Sequence, residues 1–278
     1  MEIRGADRVD TSRDSRLYFC VGCESRGQVM ANLNRVWKRW MATGCLHSTH
    51  ACAEYQRNVR AFKAAFHPAR HIELGDLLET TALRSGARGT KDEAEPLEPD
   101  VNKGLAWLAE MEPSDWLLGN HDDRIIQLLA HPSAIVAELA RRLWSDMQAA
   151  AEKAGAKIHP YDIERGWIKV GNMYMGHGYM YNINALRDHV EMMGGNVVMA
   201  HLHVAHTFRA RNHGGHWGVC VGTGGDPRTM GYARRRRQTL AWNHGIAYGE
   251  YTDNDSTMQL LQWNCAHGAK ESPRWLIS

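Results

Sequence analysis

Asn120, His121 and Asp122 stand in a row directly after the apolar run Leu117-Leu118 and a small residue, Gly119. An amide, an imidazole and a carboxylate placed together suit a divalent metal cluster. The same grammar recurs. Met41-Ala42-Thr43-Gly44 precedes Cys45-Leu46-His47, and Ile72-Glu73-Leu74-Gly75 precedes Asp76. Met173-Tyr174-Met175-Gly176 precedes His177, and Val197-Val198-Met199-Ala200 precedes His201-Leu202-His203. Each time, a mostly apolar run meets Gly or Ala and then a side chain able to ligate a metal.

Short apolar runs bounded by small residues read as buried strands. Ligands just past the carboxyl ends of such strands are where open α/β sheets place their sites. The first strand is expected over Trp40 to Leu46. Tyr55, Val59, Phe62 and Phe66 then repeat at helical spacing until Pro68, and His71 to Gly75 is the next strand. Strand, helix and strand within such a short span make a βαβ unit, so these two strands should be parallel. Residues 79–100 read as a long loop, with Asp100 capping a helix through Met111. A strand over Trp116 to Gly119 leads into a helix that begins with Asp122 and Asp123, carboxylates suited to the positive helix end. A longer helix carries Ile135, Leu139 and Leu143, strands fill 157–176, and a helix with Leu186, Val190 and Met193 ends at Gly194-Gly195. After the strand Asn196 to Ala200 the pattern is β to residue 264. Helices first and strands later fit two sheets packed face to face with helices outside.

The N-terminal part differs. Val29, Leu33, Val36 and Trp40 share helical spacing, so residues 1–39 read as an extension with one helix and 40–278 as the single catalytic domain. Cys20 and Cys23 form one CxxC with no second close pair, which fits ordinary thiols or a structural zinc completed elsewhere. Six cysteines in 278 residues exclude a disulfide scaffold. The polar start lacks the core of a signal peptide, and no run reaches the ~20 apolar residues of a membrane helix. A cytoplasmic protein without membrane contact is expected. The net charge of +2 predicts no partner; sixteen histidines are more informative.

Taken in order, Gly75-Asp76, Gly119-Asn120-His121-Asp122, Gly176-His177 and His201-Leu202-His203 resemble the calcineurin-like metallophosphoesterase superfamily over about residues 40 to 264. Ala82-Leu83-Arg84 and Asp122-Asp123-Arg124 are most like phage and prophage members, which implies a host cytoplasm. The resemblance implies a four-layer α/β/β/α sandwich of two mixed β-sheets and a site with two divalent metal ions, Mn, Zn or Fe. Two such ions roughly 3.5–4 Å apart can supply a bound hydroxide, neutralise phosphoryl oxygens and hold the attack in line. It implies that Asp76, Asn120, His177 and His201 hold the second metal, and that Cys45, His47, Asp76 and His203 hold the first, with Asp76 shared. It gives His121 the phosphate and the leaving oxygen, Asp122 the orientation of that imidazole, and Arg124 a reach toward the phosphate.

One departure stands out. The family places Asp where this chain has Cys45. A thiolate there favours zinc or iron; a neutral buried thiol, the ordinary state of a free Cys, leaves one metal rather than two. The expected activity is therefore hydrolysis of phosphate esters, with phosphodiesters of nucleotides or nucleic acid favoured. A metal- or nucleic-acid-binding pseudoenzyme is the alternative. Arg234 to Arg237 fits either a solvated loop or a grip on a nucleic-acid backbone. Glu79, three residues after Asp76, receives no role.

Overall fold

Side chains alternate along β1 (Lys38–Thr43): Trp40 and Ala42 are buried on one face and Met41 on the other. That two-residue period belongs to a strand covered on both sides. The computed structural model describes residues 36–211, 213–233 and 237–264. The helix expected to run through Trp40 is therefore corrected at its end. Trp40 pairs with Gly249 on one side and Arg70 on the other, and its indole fills the space between two sheets. Lys38 and Arg39 already belong to β1, and Val36 and Trp37 before them are not helical; the earlier part of that helix, the Cys20–Cys23 pair and Arg234 to Arg236 lie outside the described residues.

From β1 the chain crosses through α1 (Ala53–Phe66) to β2 (Arg70–Glu73), which is parallel to β1 as the βαβ reading requires. α2 (Leu97–Met111) leads to β3 (Asp115–Leu117). α2 starts three residues before Asp100, so that residue is not its cap; its carboxylate serves the loop described below. Next come α3 (Asn120–Gln127), α4 (Ala134–Ala154) and β4 (Lys157–His159). The second sheet is built from β5 (Trp167–Val170), β6 (Met173–Gly176), β7 (Asn196–Met199), β8 (Ala205–Arg209) and β9 (Trp217–Val221), with α5 (Ala185–Met193) between β6 and β7. The chain then returns to the first sheet with β10 (Asn243–Tyr251) and β11 (Gln259–Asn264). The strand orders are β11-β10-β1-β2-β3-β4 and β5-β6-β7-β9-β8, each with parallel and antiparallel neighbours.

Three apolar layers hold this together. Tyr55, Phe62, Leu108 and Met147 cluster with Met41 and Trp116 beneath the first sheet. Trp40, Ile72 and Leu117 meet Met175, Val198 and Val219 between the sheets. Leu186 and Val190 of α5 cover Val197, Met199 and Cys220. The four-layer α/β/β/α sandwich of two mixed sheets is the expected fold. Among the described residues, no helix is long and apolar enough to cross a membrane.

Candidate metal centre

β1, β2 and β3 run parallel, as do β6 and β7, so each set releases its chain in a common direction. The loops that follow carry Cys45 and His47, Asp76, Asn120, His177, and His201 and His203. Backbone bonds lock these loops: Cys45 N–H donates to Gly75 O at 2.8 Å and His47 N–H to Asp76 O at 3.0 Å. The conformations are unusual. Cys45, His47, Asp76, His201 and His203 all have positive φ, between 51° and 68°. Left-handed backbone at non-glycine residues costs energy and persists where the surroundings impose it. Here it turns consecutive side chains inward at the strand ends. Gly75 (φ +87°) has no alternative, and a Cβ on Gly119 would strike the Asp76 carboxylate. The main chain itself forms that wall.

The side chains converge as two donor groups that share one carboxylate. Asp76, His177 and His201 form one; Cys45, His47, Asp76 and His203 form the other, with each group's ligand atoms within 4.8 Å of one another. Asn120 joins the first through Oδ1, 3.2 Å from His177 Nε2. His177 gives its Nδ1 proton to Leu74 O at 2.7 Å, leaving a lone pair on Nε2. That nitrogen faces His201 Nδ1 at 3.1 Å and Asp76 Oδ2 at 3.3 Å. His47 likewise gives its Nδ1 proton to Glu79 Oε2 at 2.7 Å. Its Nε2 faces His203 Nε2 at 2.9 Å and Asp76 Oδ2 at 3.9 Å.

Electron-pair donors packed this closely need positive charge among them. Extra protons on His201 and His203 do not supply it. Burial, reinforced by His177, lowers His201 to about 3, and burial with His47 beside it holds His203 well below the usual range. Buried His201 Nε2 and His203 Nδ1 also have no hydrogen-bond partner. Burial would raise the Asp76 carboxyl, but His177, His121 and His47 outweigh it and hold it well below the carboxylate range. A buried carboxylate ringed by imidazole nitrogens, with an amide oxygen alongside, fits divalent cations. The residues therefore suit two metal positions around Asp76. Cys45 is the weak member, its thiol pushed well up by burial and by Asp76.

His121 stands at the rim of the cluster. Its backbone N–H donates to Asp76 Oδ1 at 2.8 Å and its ring Nδ1–H to Glu79 O at 2.6 Å. Burial lowers its pKa, but the Asp76 and Glu79 carboxylates outweigh burial and raise it. Asp122 does not orient this ring, contrary to expectation. Its carboxylate accepts from Leu78 N–H and Gly119 N–H, each at 2.9 Å, because it sits in the first turn of α3 facing backbone donors. Burial and Asp76 push it up to about 6. Arg124 Nη1 donates to Glu79 O at 2.9 Å and Thr80 O at 3.2 Å, bracing the loop beside His121.

Glu79 is the residue missed from sequence. It is buried, receives the His47 proton, and places Oε2 3.5 Å from His121 Nδ1. Burial opposes its ionisation, but His47 and His121 outweigh burial and hold the carboxyl well below its usual value. The available signal was an acid inside the apolar run Leu77-Leu78-Glu79, three residues beyond Asp76. Asp100 supports the same loop, accepting from Thr80 N–H at 2.8 Å and from the Ser48 hydroxyl. Trp242 meets the His203 ring edge-on at 4.2 Å between centroids, and Tyr161 meets His177 at 5.8 Å.

No protein-family model and no curated protein matches the chain. Among solved structures, it is similar to vacuolar protein sorting 29 from Cryptosporidium parvum, at 13% identity and TM-score 0.39, covering 82% of this chain and 98% of that one. It is similar to YfcE, a phosphoesterase from E. coli, at 15% identity and TM-score 0.35, covering 82% and 100%. Vps29 from Chaetomium thermophilum gives 10% identity and TM-score 0.34, covering 82% and 97%.

Proposed function

We propose that this chain hydrolyses phosphate esters with the help of two divalent metal ions. The observation that carries the reading is Asp76: one buried carboxylate common to two donor groups, each of which draws side chains from loops of both sheets. When bound, two such ions neutralise phosphoryl oxygens and activate a water for in-line attack. The chain's own residues do the rest. Asp76, Asn120, His177 and His201 hold one ion, and Cys45, His47, Asp76 and His203 the other. His121, with a pKa raised by two carboxylates, holds a proton near neutral pH and delivers it to the leaving oxygen. Glu79 keeps His47 in the tautomer that turns Nε2 inward. Asp122 and Arg124 fix the loops that carry these groups.

Nucleotide or nucleic-acid phosphodiesters are the favoured substrates, supported by the arginine run and by the resemblance to phage and prophage members. Purified protein with manganese or zinc should cleave bis-p-nitrophenyl phosphate. Absence of turnover with every divalent metal tried would overturn the reading.

Cys45 favours a second reading, a metal- or nucleic-acid-binding pseudoenzyme, because its buried thiol is pushed well above its usual range. If Cys45→Asp creates activity that the natural protein lacks, that second reading wins. A mere change of metal preference supports the first.

A further inference from the structure

The two donor groups differ in kind. Asp76, Asn120, His177 and His201 offer only oxygen and nitrogen. Cys45, His47, Asp76 and His203 add a sulfur whose Sγ lies within 4.8 Å of the other three ligand atoms. Three observations set Cys45 apart from a cysteine that merely fills space. It sits at φ 52°, a backbone state uncommon for any residue but glycine, asparagine and aspartate, so its placement is imposed. Its sulfur accepts the backbone N–H of His201 at 3.1 Å, the kind of donor that supports a metal-held sulfur. And the His47 lone pair beside it is fixed inward by Glu79.

We infer that the two metal positions are unequal by construction: the Cys45 position takes a borderline-soft ion of the zinc class and rejects manganese strongly, while the Asn120 position discriminates far less. This deepens the phosphoesterase reading and rests on it. Sulfur ligands select zinc and related ions, whereas carboxylate and amide oxygens accept manganese and magnesium as well. Binding releases the thiol proton to solvent. The shared Asp76 then joins two chemically different ions. The His201 backbone connects the halves, since its ring belongs to one group and its N–H to the sulfur of the other.

Cobalt(II) is the probe, because a cysteine sulfur bound to cobalt gives an intense near-ultraviolet charge-transfer band that imidazole and carboxylate do not. The full chain is stripped with chelator and titrated with cobalt while absorbance and bound metal are followed. Two ions per chain with a charge-transfer band are expected, and Cys45→Ser should lose the band while still binding cobalt. In competition, that variant should lose most of the zinc-over-manganese preference at this position. Cobalt bound to the natural protein without the band overturns the inference and leaves the phosphoesterase reading intact. No bound cobalt overturns both. If Cys45→Ser does not fold, Cys45→Asp replaces it, since aspartate tolerates the left-handed backbone, and the natural protein's own spectrum still decides.

Discussion

The Glu79 carboxylate and the His47 imidazole meet at 2.7 Å with both side chains buried, so the ring proton is committed away from the donor cluster around Asp76. Glu79→Gln keeps the shape and removes the charge. Metal affinity should fall roughly 10–100-fold, the usual effect of losing a carboxylate behind a ligating histidine. Calorimetric metal titration checks it, and an unchanged affinity would make Glu79 a bystander.

His121 and Asp122 are neighbours in sequence with different work. His121→Ala should lower turnover of bis-p-nitrophenyl phosphate by ~10²–10⁴ while metal content and melting temperature stay the same. Asp122→Ala should instead destabilise the fold by about 2–4 kcal/mol, because two buried backbone donors lose their acceptor. Denaturant midpoints beside rate measurements separate the two. Equal stability loss in both variants would contradict these assignments.

Chelation should destabilise the protein. Ligands that bind only the folded state add about 4 kcal/mol at a thousandfold excess over Kd, and about 1 kcal/mol moves the melting temperature of a domain this size by about 2–4 °C. Melting should therefore drop by roughly 10 °C when chelator replaces saturating zinc. Identical melting curves would mean that the cluster does not bind the ion.

Under the first sheet, the Thr43 hydroxyl lies 2.8 Å from both Glu73 Oε2 and His71 Nε2. Burial pushes Glu73 up to about 8, so the folded protein keeps this carboxyl protonated where the unfolded chain has lost the proton. A folded value above the unfolded one gives stability that is full below about pH 4.5 and disappears as pH rises through about 8. Burial also lowers His71 to about 3, so below about pH 6.5 the unfolded chain binds a proton that the folded ring refuses. The two slopes oppose one another in mildly acid solution. Glu73→Gln should remove the alkaline loss, leaving the variant more stable than the natural protein at pH 9 by a few kcal/mol. Unfolding titrations at pH 6 and pH 9 test it; parallel losses in both proteins would refute it.

Much of this was legible from residue order. The βαβ unit, the two sheets and the strand-end positions of Asp76, His177 and His201 follow from short apolar runs ending in small residues. Trp40 misled because helical spacing is a local signal, whereas its two strand partners lie 30 and more than 200 residues away. Asp100 misled because an acid near a helix start reads as a cap, while its real partners are backbone groups around residue 80. Glu79 escaped notice because its value comes from two rings on other loops. Asp122 was placed in the right loop cluster with the wrong partner: sequence marks which residues arrive together, not which way a carboxylate turns.

The Gly119 main chain packs so tightly on Asp76 that this side of the chamber admits no added atom. Tyr161 and Trp242 instead meet imidazoles of the two different halves, His177 and His203. Under the proposed reading, those two aromatic rings are the side chains to vary when substrate preference is probed.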